Sequence, residues 1–443
     1  MRALSYLIAL PLLPFLTLLS PAFAASSATS SAISIITYLA LVPPVLAAKP
    51  AVPLSSTSRW IVDAKGKRLK LRCINWAGHL EANIPEGLHK QSVAYLADWI
   101  ASNGFNCVRL TYSVDMALDP GLAVRDSFRA AAKETGVKEA DLLKLYDRAV
   151  GKNPFLASAT VRDVFDHVID ALWDRGVMTV LDNHVSKASW CCDLDDGNGW
   201  WADAPLYAAS NSRFFDADDW LNALRAVARW TRGNPAVVGL ALRNELRATW
   251  SQILFAPNTW YSKMADAARV VHAANPDALV IVGGLNGGAD LSPLRTRAMD
   301  TSAWRNKHVW ETHEYPFTVT TPDLGNCDLT RANYGLLYGF VLEQGKPYTG
   351  PLWLSEFGVN MQGGPNDGLS DDDLTYLTCL VSYMESNDAD WALWALQGSY
   401  YVRDGVVDKD ESWGALNRAW ADWRNPRFRD LLGNMFESKQ GPR

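Results

Sequence analysis

The chain has 443 residues, 48% of them apolar and 20% charged, with a formal net charge of −6. This mixture supplies a large core, and the length suits one big domain such as an elaborated α/β barrel, which takes about 250 residues or more. The acidic balance argues against nucleic acid as a partner, since such a site needs a basic face.

The N-terminus reads as a targeting segment. Arg2 precedes an apolar run over residues 3–19, and Ala22-Phe23-Ala24 has the small-x-small form of a signal-peptidase site. A second apolar stretch, residues 32–48, contains the helix-breaking pair Pro43-Pro44. It is also shorter than the roughly 20 residues that span a bilayer. Residues 1–48 are therefore expected to be a signal segment ending near Ala48, with a membrane anchor as the other reading. Both place the remainder outside the cytosol as a secreted domain, and a membrane is a partner only if the segment is retained.

One domain is expected over residues 49–443. Eight short apolar runs recur along it, at 69–75, 106–111, 177–184, 237–245, 278–285, 308–315, 351–357 and 391–397. They are continuous rather than alternating, as strands covered on both faces should be. Helical patterns lie between them, for example at 92–103, 161–175, 218–231 and 260–274. Asn103-Gly104, Arg175-Gly176 and Asn275-Pro276 supply stop signals before the next strand. Alternating β and α with eight strands predicts an α/β fold, the (β/α)8 TIM barrel. A doubly wound open sheet is the runner-up, and no Gly-x-Gly-x-x-Gly follows the first strand to support it.

Residues 114–158 read as a helical insertion after the second strand, with helices at 127–133 and 139–149. An aromatic and acidic loop, residues 190–201, follows the third strand, and residues 401–443 are expected to wrap the barrel exterior. The six cysteines are Cys73, Cys107, Cys191, Cys192, Cys327 and Cys379. An even number in a secreted chain permits disulfides. Cys73 and Cys107 fall in strand patterns and suit free thiols as well as a bridge, whereas Cys191, Cys192 and Cys327 lie in loops and are the better candidates. No zinc-ligand spacing and no Asn-x-Ser/Thr sequon occur.

A parallel barrel carries its active site at the C-terminal ends of its strands. Here the second strand ends near Arg109, the third at His184, the fourth at Asn244-Glu245, the sixth at His313-x-Tyr315 and the seventh at Glu356, and the eighth passes through Trp394. Ionisable groups thus gather where apolar patterns stop. Glu245 and Glu356 face one another across the mouth, and two carboxyl groups are what cleavage of a glycosidic bond requires. The 19 tryptophans divide between core packing and flat surfaces on which the apolar face of a sugar can lie.

The segments Leu242-Arg243-Asn244-Glu245, His313-Glu314-Tyr315 and Trp353-Leu354-Ser355-Glu356-Phe357-Gly358 resemble those of glycoside hydrolase family 5, the cellulase-like enzymes of clan A. Cys107-Val108-Arg109-Leu110 and Leu181-Asp182-Asn183-His184 fit as well, so the likeness runs from about 58 to 400. The stretch Asn75 to Glu81 and the loop from Cys191 to Trp201 are similar to a plant and fungal branch.

The resemblance implies a retaining double displacement, with Glu356 as nucleophile and Glu245 as acid and then base. Arg109 would lower the pKa of Glu356 and Tyr315 would donate a hydrogen bond to it. Asn244 would hold the sugar 2-hydroxyl, His184 and His313 would orient the carboxylates and sugar hydroxyls, and Trp394 would lie under the reacting sugar. The carboxyl groups are expected roughly 5 Å apart. No cofactor and no metal are implied.

Two positions depart from the family pattern: Leu246 stands where proline often follows the Asn-Glu pair, and Glu314 adds a carboxylate near the cleft. Asn75, Trp76, His79 and Glu81 would line a subsite, Trp190, Trp200 and Trp201 would roof the cleft, and Asp193, Asp195 and Asp196 suit a solvated loop better than sugar or calcium contacts. His89, His167, His272 and His308 read as structural.

The implied substrate is a β-linked glucan cut internally. Mannan or end-on cleavage of glycosides on the same site is the alternative, as is a silent carbohydrate-binding protein. A metal-dependent barrel hydrolase would place His-x-His after the first strand, where Asn75-Trp76 stands.

Overall fold

All eight apolar runs become parallel strands of one closed barrel. The computed structural model describes residues 49–317 and 326–442, and the signal segment expected over residues 1–48 lies outside them. In chain order the strands are β1 (Ser55–Thr57), β2 (Trp60–Val62), β3 (Arg72–Trp76), β4 (Cys107–Ser113), β5 (Met178–Val185) and β6 (Val237–Ala241). They continue with β7 (Leu279–Gly283), β8 (His308–Glu314), β9 (Leu352–Phe357), β10 (Asp390–Leu393), β11 (Ser399–Arg403) and β12 (Val406–Asp410). The barrel order is β10-β3-β4-β5-β6-β7-β8-β9, every pair parallel, and this closure excludes the open sheet. Among the described residues no helix is long and apolar enough to cross a membrane.

Strand alternation sorts the side chains. On β3, Cys73 and Asn75 point into the barrel, while Ile74 and Trp76 point out beneath the helices. On β4, Cys107 and Arg109 point in, and Val108 and Leu110 point out. The lower interior is filled by Met178, Val180, Leu279, Ile281, Val309 and Trp353. Below it, Leu54 and Ile61 from the β1/β2 hairpin plug the N-terminal end. Cys73 and Cys107, paired across adjacent strands, form a disulfide, as do Cys191 with Cys192 and Cys327 with Cys379.

Two tryptophans pin strand ends and a third holds the C-terminal segment. Buried indole N–H groups donate to backbone carbonyls: Trp220 to Leu242 at 2.8 Å, Trp260 to Gly283 at 2.9 Å and Trp391 to Met435 at 2.9 Å. The helix carrying Trp220, Ala217–Trp230, is capped by Asp216, whose carboxylate accepts from the N–H groups of Asp218 and Asp219. It buries Trp220, Ala223, Leu224 and Val227 against the barrel. The insertion after β4 is helical as expected, with Val114–Leu118, Val124–Thr135 and Glu139–Lys152.

The C-terminal stretch only partly wraps the exterior. It begins with the β11/β12 hairpin, which stands at the cleft, and ends with Met435 and Phe436 packed under Trp391 and Phe105.

Candidate active site

Arg109 stands at the centre of the upper barrel, fully buried. Its Nη1 donates to Glu356 Oε1 at 2.6 Å and to Asn75 Oδ1 at 3.0 Å, and its Nη2 donates to Asn244 Oδ1 at 2.9 Å. Two carboxylates not anticipated from the sequence complete its surroundings: Asp182 at 3.0 Å and Glu311 at 3.2 Å. Both follow from alternation, since they lie two residues before His184 and His313 on the inward faces of β5 and β8. Burial alone would favour loss of the Arg109 proton, but Asp182, Glu311 and Glu356 hold it firmly charged. Burial pushes Asp182 up to about 7, against the pull of Arg109. For Glu311 burial acts upward too, yet Arg109 and His313 prevail and hold it below the usual carboxylate value.

Glu245 and Glu356 converge above this layer. A carboxylate oxygen of each, with a ring nitrogen of His313, forms a group whose atoms all lie within 4.8 Å of one another. His313 Nδ1 is 3.0 Å from Glu245 Oε1 and 3.6 Å from Glu356 Oε2. Burial would lower the His313 pKa, but Glu356, Glu245 and Glu311 raise it to about 10. The ring is therefore an imidazolium shared among carboxylates at neutral pH.

Tyr315 donates to Glu356 Oε2 at 2.9 Å, so both oxygens of Glu356 have donors. Burial pushes the Glu356 carboxyl up to about 6, outweighing the downward pull of His313 and Arg109. The expected net lowering by Arg109 is thus reversed, because the desolvation of a buried anion is the larger effect. Among the described residues this group of Glu245, His313 and Glu356 has metal-ligand spacing, but its carboxylates already face an imidazolium and a guanidinium.

Local backbone places these groups. A register shift between Thr312 and His313 pairs His313 with Glu356, which turns Glu356 toward the barrel axis beside Ser355. The fourth barrel strand stops at Ala241, short of the predicted 245, and Glu245 follows it at φ 38°, in the left-handed region that an L-residue adopts at a cost of about 1–2 kcal/mol. Gly358 lets the end of β9 approach the next strand, where a Cβ would lie 2.5 Å from the Trp394 carbonyl oxygen.

His184 donates from Nδ1 to Asp182 at 2.6 Å, leaving Nε2 to face the Asn244 amide at 3.3 Å. Burial, helped by Arg109, holds its pKa well below the usual value, so it is neutral. Trp394 stacks parallel to His184 at 5.4 Å and lines the cleft. The cleft measures about 490 Å³, and its walls include Trp190, Asp193, Phe317, Arg403 and Trp413.

Several expected positions fall elsewhere. Trp76 is fully buried, its indole donating to the Glu86 carbonyl at 2.9 Å, because Asn75 takes the inward position on β3. Asn75 itself braces Arg109 rather than facing the cleft. Trp200 and Trp201 do not roof the cleft but pack with Phe215 and Trp220 in the core. Glu314 faces outward and accepts from the Tyr338 hydroxyl at 3.2 Å. The His79 ring lies tilted against that of His184, with centroids 3.9 Å apart, and Glu81 is largely buried. The three loop aspartates diverge: Asp193 lines the cleft, Asp196 pairs with Arg247 at 2.8 Å, and the Asp195 carbonyl accepts from Arg213.

Residues 62–399 match the cellulase model of glycosyl hydrolase family 5. A glycosyl hydrolase 5 family protein of Chamaecyparis obtusa is 38% identical over 405 residues, 90% of this chain and 68% of that protein. The major extracellular endoglucanase of Xanthomonas campestris is 27% identical over 416 residues, 90% of this chain and 74% of that protein. An endocellulase of Pyrococcus horikoshii, solved with cellotetraose, shares the fold at a TM-score of 0.66 and 18% identity, covering 88% of this chain and 100% of that one. With a barrel, a mouth lined by acid groups and a family match across most of its length, the chain belongs to glycosyl hydrolase family 5, whose members are O-glycoside hydrolases.

Proposed function

We propose that the protein is a secreted hydrolase that cleaves β-linked glucan with retention of configuration. The observation that carries this reading is the proximity of Glu245 and Glu356, with carboxylate oxygens within 4.8 Å. Retaining enzymes hold their carboxyl groups about 5–5.5 Å apart, whereas inverting ones leave about 6.5–9.5 Å for a water. Glu356, with Arg109 and Tyr315 on its two oxygens, is the nucleophile: it bonds to the anomeric carbon as the glycosidic bond breaks. Glu245, whose side chain is 17% exposed to the cleft, gives its proton to the leaving oxygen and then takes one from the incoming water. In this reading Trp394, in the cleft wall, offers its face to the sugar, and Asn244, whose Oδ1 accepts from Arg109, meets the 2-hydroxyl.

The endoglucanases among the relatives support glucan as the polymer, and cellotetraose bound to a structural neighbour supports an oligosaccharide ligand. The signal-like N-terminus and three cysteine pairs support secretion.

The test is hydrolysis of soluble β-glucans, mannan, xyloglucan and aryl β-glucosides by the wild type, Glu245→Ala and Glu356→Ala. Each variant should lose about 10²–10⁴-fold or more in rate. Added azide should return α-glycosyl azide from Glu356→Ala and β-glycosyl azide from Glu245→Ala. An α-anomer as the first product of the wild type, seen by NMR, would rule out retention. Oligosaccharide binding without cleavage would make this a carbohydrate-binding protein.

A further inference from the structure

Strands β5 and β10 are not neighbours, since β3 and β4 lie between them in the barrel. The loops leaving their C-terminal ends nevertheless touch. Trp190, in the loop after β5, lies under the guanidinium of Arg403, on the hairpin that follows β10, with 3.3 Å from the guanidinium carbon to the ring centroid. The Trp190 ring also meets Tyr400 edge-on at 5.6 Å. Arg403 and the Tyr400 hydroxyl both donate to Glu411 Oε2, at 2.8 and 2.6 Å, and Glu411 is 4% exposed. Beneath this arch Ala77 and Leu80, from the loop after β3, pack against Tyr400 with Trp190.

The arch is braced from below. Asp408 pairs with His89 at 3.2 Å and Lys90 at 2.7 Å, and the Tyr401 N–H donates to the buried Glu86 at 2.7 Å. Both faces of the contact belong to the cleft wall, since Trp190 and Arg403 line it. A cation held against an indole and paired with a buried carboxylate resists separation, because its charge is matched on one side and covers the ring on the other.

A glucan that is cut internally must run through a groove open at both ends. Between the loops that leave β5 and β10, Trp190, Arg403 and Tyr400 instead pack together above Ala77 and Leu80. We propose that the Trp190–Arg403 arch is a blind end of the cleft. One terminus of the substrate rests against it, and cleavage falls at a fixed, short distance from that terminus. The inference rests on the glucan-hydrolase reading above and adds the mode of cutting and the substrate class, namely chain ends and short β-linked oligosaccharides. A cleft of about 490 Å³ is in the range that encloses a small ligand.

The experiment uses end-labelled β-linked gluco-oligosaccharides of increasing length, with viscosity and reducing ends followed in parallel on a soluble β-glucan. The wild type should release a fragment of constant size from one terminus at every length, with little viscosity lost per bond cut. Arg403→Ala opens the arch, and Asp408→Ala frees the hairpin by another route. In both, internal cuts should rise about fivefold relative to terminal ones, the effect of removing about 1 kcal/mol. Scattered internal cuts and an early viscosity collapse in the wild type would overturn the blind end while leaving the hydrolase reading intact. An unchanged cutting pattern in both folded variants would overturn the arch as its cause. Absence of cleavage of any β-glucan or oligosaccharide would overturn the hydrolase reading and this inference with it.

Discussion

Glu356 is pulled in opposite directions, by burial toward the protonated form and by His313 and Arg109 toward the anion, and it settles at about 6. As the proposed nucleophile it works only as the anion, so kcat/KM should fall as pH drops through about 6. Tyr315 donates to the same carboxylate at 2.9 Å and favours its charged form. Tyr315→Phe should therefore move the acid limb of the kcat/KM profile to higher pH, and a limb that stays or moves down would contradict this role. The site residues were readable where an apolar run ended on an ionisable group, as with His184, Glu245 and Glu356, although the strand before Glu245 stops at Ala241. Asp182 and Glu311 were missed although their signal was present: a carboxylate inside an apolar run, two residues before a site histidine. The errors at Trp76 and Glu314 have the same origin, because each neighbours an inward residue and so must face outward.

The eight barrel strands were legible as elements because burial on both faces leaves continuous apolar runs. The two hairpins were not. β1 has three residues, and β12 reads Val-Val-Asp-Lys-Asp with no apolar run. Even so, Asp404-Gly405, both at positive φ, is a strong sequence signal for a tight hairpin turn. The C-terminal segment also does more than wrap the exterior. Arg72 donates to the Phe436 carbonyl at 2.7 Å and Lys70 to that of Glu437 at 2.9 Å, while the Phe436 ring meets Trp391 at 4.9 Å. Phe436→Ala should cost about 3–5 kcal/mol, the usual penalty for emptying a buried aromatic site. Thermal unfolding would show this as a clear fall in Tm, and an unchanged Tm would mean that the segment only decorates the barrel.

Across the whole molecule, buried charge ties stability to pH. His313 has a folded pKa of about 10 against roughly 6.5 unfolded, so its contribution is full below about 6.5 and lost as pH rises through 10. Asp182 has a folded value of about 7 against roughly 3.9 unfolded, so raising pH across that window also favours unfolding. Both act in one direction. Chemical denaturation should show a lower midpoint at alkaline than at mildly acidic pH, and His313→Gln should remove much of that difference. Equal midpoints in the wild type would refute it. Fold class and catalytic pair could be read from the chain because barrel geometry brings strand ends together wherever they fall in sequence. The cleft walls could not, since they arise from loop-to-loop contacts such as Arg403 on Trp190 that no periodicity encodes. That contact also has an optical consequence. Of the 19 indoles most are buried, while Trp190, Trp394 and Trp413 border the cleft, one of them beneath a cation. A sugar settling among them displaces water from these few rings, so occupancy of the cleft is reported by the protein's own fluorescence, without a label.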